Sequence, residues 1–232
     1  MGTVRLKWTG HKEPDGPPPY DVRTGPPGPW DAEEPPDAHL ERHLEPGQDA
    51  EEYGKARSTG HRSFDLWADP DRAHPLAHVR TVHTDRYEAR YEVRDAEDRH
   101  LALVVRRPRL RGGNIRTRWD VEQDGRPVAV GYRGSAPAWL LWWLTCPLYV
   151  VLAVFLVAAA ILGDGNGEIP RPPRRITWRV HRRKVLEART SGAGEYELRP
   201  RADWWDERVL MATAALVSSW GGGLGHSWDE PH

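Results

Sequence analysis

Residues 206–220 read DERVLMATAALVSSW, and this short stretch is the strongest indication of the fold in the sequence. Its middle, residues 209–217, carries apolar side chains on every helical face, and Gly221 follows soon after its end. A helix without a polar stripe is enclosed by protein on every side. About a dozen apolar residues are too few to cross a bilayer as a helix. We therefore predict a buried helix at about residues 204–220.

Such a helix needs a shell of strands, and the sequence supplies nine candidates. From residue 63 onward, short segments alternate apolar and polar residues between turn signals such as QDGR at residues 123–126. The three segments after residue 175 are too few to surround a helix, so the earlier ones must contribute. We predict a mainly β fold, an antiparallel meander closing toward a barrel around the hydrophobic C-terminal helix. The predicted strands are SFDLW, LAHVRTVHT, YEARYEVRD, HLALVVRR, IRTRWDVEQ, RPVAVGYRG, ITWRVHR, KVLEART and EYELRP.

An uncharged run interrupts this meander at residues 138–163, AWLLWWLTCPLYVVLAVFLVAAAILG. As one helix the run would measure about 39 Å, against roughly 30 Å for the hydrocarbon core of a bilayer. Its first half is rich in tryptophan, which prefers the headgroup level. Pro147 would break the helix, and neither half would then span alone. We predict a membrane-inserted apolar helical segment here.

Two topologies remain open for this segment. A single pass would place the predicted strands on opposite sides of the membrane, so the barrel could not close. A hairpin bent near residues 145–147 would return the chain to the side it left. The single-pass alternative has its own support, because the arginine-rich flank at residues 171–184 would orient the C-terminal side toward the cytoplasm. We predict a membrane location with that flank cytoplasmic.

Residues 1–60 differ from the rest in composition. They contain 7 Lys and Arg against 12 Asp and Glu, with many prolines and few aliphatic residues. Such a composition is typical of disorder. We predict an acidic, proline-rich disordered tail over residues 1–60, with a possible short strand at residues 4–8, followed by a β-domain over residues 61–232. The tail is a possible binding segment for a protein partner.

Two basic clusters could contact anionic lipid, one at residues 106–118 and one at residues 171–184. The second is better placed, because it follows the apolar run directly, and basic residues beside a membrane gain about 1 kcal/mol each from anionic headgroups. Amphipathic rings in the run would add contacts at the same level. The predicted lipid-contacting residues are Trp139, Trp142, Trp143, Tyr149, Arg171, Arg174, Arg175, Arg179, Arg182, Arg183 and Lys184.

The sequence contains no recognisable catalytic arrangement. There is no G-x-S-x-G elbow and no phosphate-binding loop. Cys146 is the single cysteine and lies inside the apolar run, which excludes an intramolecular disulfide and a multi-cysteine metal site. We expect no enzyme activity, no cofactor and no bound metal. Nucleic acid is a poor candidate partner, because the net charge is -1 and no binding motif is present.

Three segments together resemble the tubby-like barrel superfamily, which includes phospholipid scramblases and LURP-one-related proteins. They are RYEVRDAEDRHLALVVRR at residues 90–107, RTRWDVEQDGRPVAVGYRG at 116–134 and the helix at 206–220. The resemblance implies a closed barrel around a central helix and a role in phospholipid binding, without catalytic residues. The chain departs from the family in two respects: nine strands are visible instead of twelve, and the apolar run interrupts the meander.

Two functional hypotheses follow. In the first, the chain is a membrane-anchored tubby- or scramblase-like β-domain that contacts phospholipid headgroups. In the second, it is a single-pass membrane protein whose acidic tail at residues 1–60 recruits a protein partner.

Overall fold

The computed structural model describes residues 2–8, 20–26, 35–111, 115–134, 175–190 and 196–220, together with Leu144 alone. Within these residues the chain forms twelve strands and two helices. The strands are β1 (Thr3–Trp8), β2 (Tyr20–Gly25), β3 (Ala38–Arg42), β4 (Phe64–Trp67), β5 (Pro75–Thr84), β6 (Ala89–Asp95), β7 (His100–Arg107), β8 (Arg118–Gln123), β9 (Ala129–Arg133), β10 (Ile176–Val180), β11 (Arg183–Thr190) and β12 (Tyr196–Pro200). The helices are α1 (Ala50–Ser58) and α2 (Glu207–Ser219).

The strands form one closed antiparallel barrel. Each strand pairs with its neighbours in the sequence, and β1 closes the sheet by pairing with β12. The closing register aligns Val4 with Leu198 and Leu6 with Tyr196. Closure removes the free sheet edges that could otherwise pair with another chain. The predicted barrel is confirmed, and the nine predicted strands correspond to β4 through β12.

The three additional strands lie within residues 1–60, and here the structure differs from the predicted disordered tail. The possible strand at residues 4–8 is part of β1, and β2 and β3 complete the barrel wall beside it. Prolines and acids dominate the composition of this region, but its inward side chains, such as Val4, Val22 and Leu40, have no exposed surface. Short strands are stabilised by packing against their neighbours, which average composition does not reveal.

Helix α2 occupies the interior of the barrel, as predicted. Asp206 caps its first turn by accepting a hydrogen bond from the backbone N–H of Arg208. Ten of the thirteen helical residues are buried. Ala212, Ala214 and Ala215 have no exposed surface, and their small side chains let the surrounding sheet approach the helix closely.

The barrel has two ends, and α2 runs from one to the other. At the end where α2 begins, called the far end, the Gln123 side chain accepts from Asp206 N–H at 2.9 Å and donates to the Trp204 carbonyl at 3.1 Å. At the opposite end, Trp220 follows α2, and its ring N–H donates to the Tyr91 hydroxyl at 3.2 Å. We call this opposite end the run end.

The apolar run leaves and returns at the run end. The Gly134 N–H donates to the Arg175 carbonyl at 2.7 Å, and Arg133 pairs with Ile176. The predicted membrane insertion at residues 138–163 lies between these partners and, apart from Leu144, outside the described residues. Where the structure describes the chain, no helix has both the length and the apolar character to cross a membrane.

Candidate functional site

The predicted lipid-contacting residues divide into two groups. Six lie outside the described residues: Trp139, Trp142, Trp143, Tyr149, Arg171 and Arg174. The other five are described and exposed: Arg175, Arg179, Arg182, Arg183 and Lys184. Arg175 precedes β10 at the run end, whereas Arg182 lies in the turn after β10 at the far end. An extended strand of this length spans about 16 Å, so the structure does not bring the five cations together.

Two of these cations, Arg175 and Lys184, lie beside a buried carboxylate together with Arg189 and Arg201. Glu187 on β11 has a fully buried side chain that lies 2.7 Å from Arg189, 3.4 Å from Arg201 and 3.7 Å from Lys184, and it also pairs with Arg175. Burial alone would raise the pKa of Glu187, but the surrounding cations outweigh burial and lower the pKa. Four cations therefore surround this one carboxylate.

Exposed apolar side chains gather at the run end. The loop between β7 and β8 contains Leu110, 74% exposed, and Ile115, 82% exposed, and the loop between β5 and β6 contains Tyr87, 44% exposed. The far end exposes Val128. No large apolar side chain within residues 175–190 is exposed. The apolar surface therefore lies beside the attachment of the apolar run, not along the Glu187 side of the barrel.

Arginines alternate with these apolar side chains. The Arg86 guanidinium lies 4.5 Å from the centre of the Tyr87 ring, and the Arg116 guanidinium lies 4.8 Å from that of Tyr132. Arg116 also donates to the Gly134 carbonyl at 3.0 Å, which ties the β7–β8 loop to the point where the apolar segment begins. Apolar side chains interleaved with aromatic and basic ones are typical of residues at a membrane–water interface.

Leu110 is strained as well as exposed. Its φ is 61°, in the left-handed region that costs an L residue about 1 kcal/mol or more. An exposed leucine gains no burial within the barrel to offset this strain. A residue whose backbone strain is not offset by packing within its own fold is a candidate for a functional role.

The structure places the basic cluster at residues 106–118, not the one at residues 171–184, beside the exposed apolar side chains of the run end. The sequence favoured residues 171–184 because they follow the run directly, but four of the seven cations in that cluster surround Glu187 or lie at the far end. These four are Arg175, Lys184, Arg182 and Arg183. The other cluster, RRPRLRGGNIRTR at residues 106–118, spans the β7–β8 loop at the run end. Leu110 and Ile115 were not predicted. The pattern that could have revealed them is the placement of single aliphatic residues inside an arginine-rich loop.

The interior of the run end is also rich in arginine. Arg62 Nε donates to the Ser219 hydroxyl at 3.1 Å, and Arg57 donates to the Ser219 carbonyl at 3.3 Å. The C-terminus of a helix carries partial negative charge, so cations are favourable there. Both arginines therefore lie at the C-terminus of α2, where Arg57 binds a terminal carbonyl.

A polar cluster on the outer wall joins β4 and β5 to the chain after β3. Asp65 lies 2.9 Å from His43, 2.8 Å from His78 and 2.7 Å from Arg80. Burial alone would raise the pKa of Asp65, but Arg80 and the two histidines outweigh burial and lower it below 3.8. The described residues contain no group of three His, Cys, Asp or Glu side chains that could hold a metal ion.

Comparison of the chain with known proteins identified no relative. No protein-family model matches the chain, and no curated protein or solved structure matches it either.

Proposed function

We propose that this protein is a membrane-anchored β-barrel that places its run end against phospholipid headgroups and has no catalytic activity. The apolar run at residues 138–163 is the anchor. The observation that carries the proposal is the position of Leu110 and Ile115, which expose apolar surface among arginines at the end where the run is attached.

Barrel topology supports an anchor that enters and leaves on one face. Strands β1 to β9 precede the run and β10 to β12 follow it, yet all twelve belong to one closed sheet. A single pass would separate β9 from β10, which are paired. A hairpin bent at Pro147 would let the run enter the lipid while the barrel stays on one side. The arginines on both flanks favour the cytoplasmic side.

Approximate energies also favour contact through the run end. Burying an exposed leucine or isoleucine side chain stabilises by about 1.5–3 kcal/mol, and each arginine near an anionic surface adds about 1 kcal/mol. Leu110, Ile115 and the neighbouring arginines Arg86 and Arg116 would thus give several kcal/mol of orienting energy. The apolar run attaches the protein to the membrane, and the β5–β6 and β7–β8 loops orient the barrel on the membrane surface.

The architecture supports the resemblance to the tubby-like barrel superfamily. That resemblance implies twelve strands around a central helix, and we infer on this basis that phospholipid is the ligand class. The alternative hypothesis, a single-pass protein with a partner-recruiting tail at residues 1–60, has less support because β1, β2 and β3 belong to the barrel wall.

Environment-sensitive fluorescence tests the proposed orientation. In full-length protein carrying Cys146→Ser, we would label Leu110→Cys, Ile115→Cys and, as a far-end control, Val128→Cys with NBD. In vesicles containing anionic lipid, labels at positions 110 and 115 should shift to the blue and resist aqueous quenchers, whereas the label at 128 should report water. Equal emission from both ends would contradict the proposed orientation.

A further inference from the structure

Arg106 lies inside the run-end mouth of the barrel. It follows Ala102 and Val104 on the inner face of β7, and both of those residues are fully buried. The guanidinium carbon of Arg106 lies 3.4 Å from the centre of the Trp220 ring and 5.9 Å from that of Trp119. Its side chain therefore lies directly above the hydrophobic core.

Among the residues that the structure describes, this cation has no anionic partner. In the described part of the chain the Arg106 side chain makes no hydrogen bond and no ion pair, and its Nε is buried without an acceptor. The groups that act on it most are the Tyr91 hydroxyl and three further arginines, Arg62, Arg133 and Arg111. Burial lowers the pKa of Arg106 to about 10, so the side chain is still charged at neutral pH. A poorly solvated cation among other cations destabilises a fold.

The helix C-terminus does not explain Arg106. The last turn of α2 already has Arg57 and Arg62 bound at Ser219. Arg106 stacks on Trp220, over which the Arg62 guanidinium also lies at 4.3 Å. Stacking occupies the face of a guanidinium while leaving its in-plane N–H donors available. Planar donors of this kind match phosphate oxygens, with which arginine forms paired, charge-assisted hydrogen bonds.

We propose that the mouth around Arg106, with Arg133 beside it, is a binding site for an oxyanion of the phosphate class. Arg133 is the last residue of β9 and shares the inner face of the strand with Ala129 and Gly131. It lies two residues beyond Gly131, which is level with Arg106 across the sheet. The phosphate belongs either to a lipid headgroup or to a free phosphate compound. If the phosphate belongs to a lipid headgroup, this inference rests on the proposed function; if it belongs to a free compound, the inference is independent of it.

The experiment compares three full-length proteins in nanodiscs of zwitterionic lipid: wild type, Arg106→Met and Arg126→Met. Arg126 is the matched control, since it lies 5.9 Å from the Trp204 ring at the far end. Inorganic phosphate is titrated against chloride at constant ionic strength, and binding is followed by calorimetry and by the thermal unfolding midpoint. Wild type and Arg126→Met should bind phosphate and unfold at higher temperature, whereas Arg106→Met should bind at least about tenfold more weakly.

Stability without ligand separates a binding role from a structural one. Because the Arg106 side chain has no ion pair or hydrogen bond to lose among the described residues, and Met can still pack on Trp220, Arg106→Met should unfold at the wild-type temperature or above in chloride. If Arg106→Met does not fold, Arg106→Lys decides, since it keeps the charge but loses the planar fork and should still bind phosphate more weakly. The proposal is overturned if phosphate acts no differently from chloride, or acts equally on wild type and the Arg106 variant.

A second arm identifies the source of the phosphate. Vesicles containing phosphatidic acid are compared with vesicles containing phosphatidylserine at equal charge. A preference for phosphatidic acid that depends on Arg106 assigns a lipid headgroup, and phosphate binding without that preference assigns a free compound. If position 110 enters the bilayer but phosphate does not bind, this inference fails while the proposed function stands.

Discussion

Leu110 and Arg182 share a strained backbone conformation at opposite ends of the barrel. Their φ angles are 61° and 72°. Arg182 lies with His181 in the two-residue turn between β10 and β11, a position that favours Asn or Gly. Both residues cost stability, but only Leu110 lies beside the exposed apolar surface of the run end. Comparing variants at these two positions therefore distinguishes the effect of backbone strain from the effect of membrane contact.

Replacing Leu110 by Gly should have two opposite effects. Relief of the left-handed strain should raise the free energy of unfolding in detergent by about 0.5–1 kcal/mol, measured by denaturant titration. Loss of the side chain should move an NBD label at Ile115→Cys toward water in anionic vesicles. Arg182→Gly is the control and should give a similar stabilisation without changing the label. A change of the label in both variants would argue against a role for Leu110 in lipid contact.

Strand pairing places one glycine where no side chain fits. A Cβ on Gly131 of β9 would lie 2.6 Å from Nε1 of Trp178 on the neighbouring β10. Trp178 is fully buried, so its ring cannot move aside without disturbing the core. The contact matters because β9 and β10 flank the apolar run.

Gly131→Ala should therefore destabilise the barrel by about 1–3 kcal/mol. Gly25→Ala is a suitable control, since a Cβ there meets only Arg5 Nη2 at an ordinary 3.7 Å. Thermal unfolding of both variants gives the comparison. Equal unfolding temperatures would show that the β9–β10 packing is looser than described.

The Asp65 cluster links strand packing to pH. Because folding lowers the pKa of Asp65, its stabilising contribution is complete above the ordinary value of 3.8 and is lost as pH falls through the lower folded value. Asp65→Asn should be less stable than wild type at pH 7 by about 1–3 kcal/mol. The difference should shrink below about pH 4. Denaturant titrations from pH 3 to 7 test this, with exposed Asp71→Asn as the control; a difference that stays constant with pH would contradict it.

At the scale of the whole molecule, the helix at 206–220 predicted the architecture more directly than the strands did. An all-apolar helix too short for a membrane requires a surrounding sheet, and alternation located nine of its strands. The other three escaped because prolines and acids in residues 1–60 mask short alternating segments such as VRLKW at 4–8. Closure through β1 and β12 depends on contacts nearly two hundred residues apart, which local patterns do not encode.

The candidate site was only partly predictable for a similar reason. Sequence proximity to the run favoured residues 171–184 as the lipid-contacting cluster. In the structure, however, Arg182 lies at the far end because β10 runs away from the run end, and Arg175 forms an ion pair with Glu187. Conversely, the loop at 106–118 is distant in sequence yet adjacent in space, because β7, β8 and β9 return it to Gly134. Only the strand register reveals which cations share an end with the apolar run.

Residues on both sides of the apolar run belong to one barrel, which we propose lies on one side of a membrane. Two single-cysteine variants in the Cys146→Ser background test it, Arg126→Cys before the run and Arg183→Cys after it. Sealed vesicles from expressing cells are treated with a membrane-impermeant maleimide before and after permeabilisation. If the whole barrel lies on one side, both positions are labelled together or protected together. Labelling of one position with protection of the other would place them on opposite sides of the membrane and rule out this arrangement.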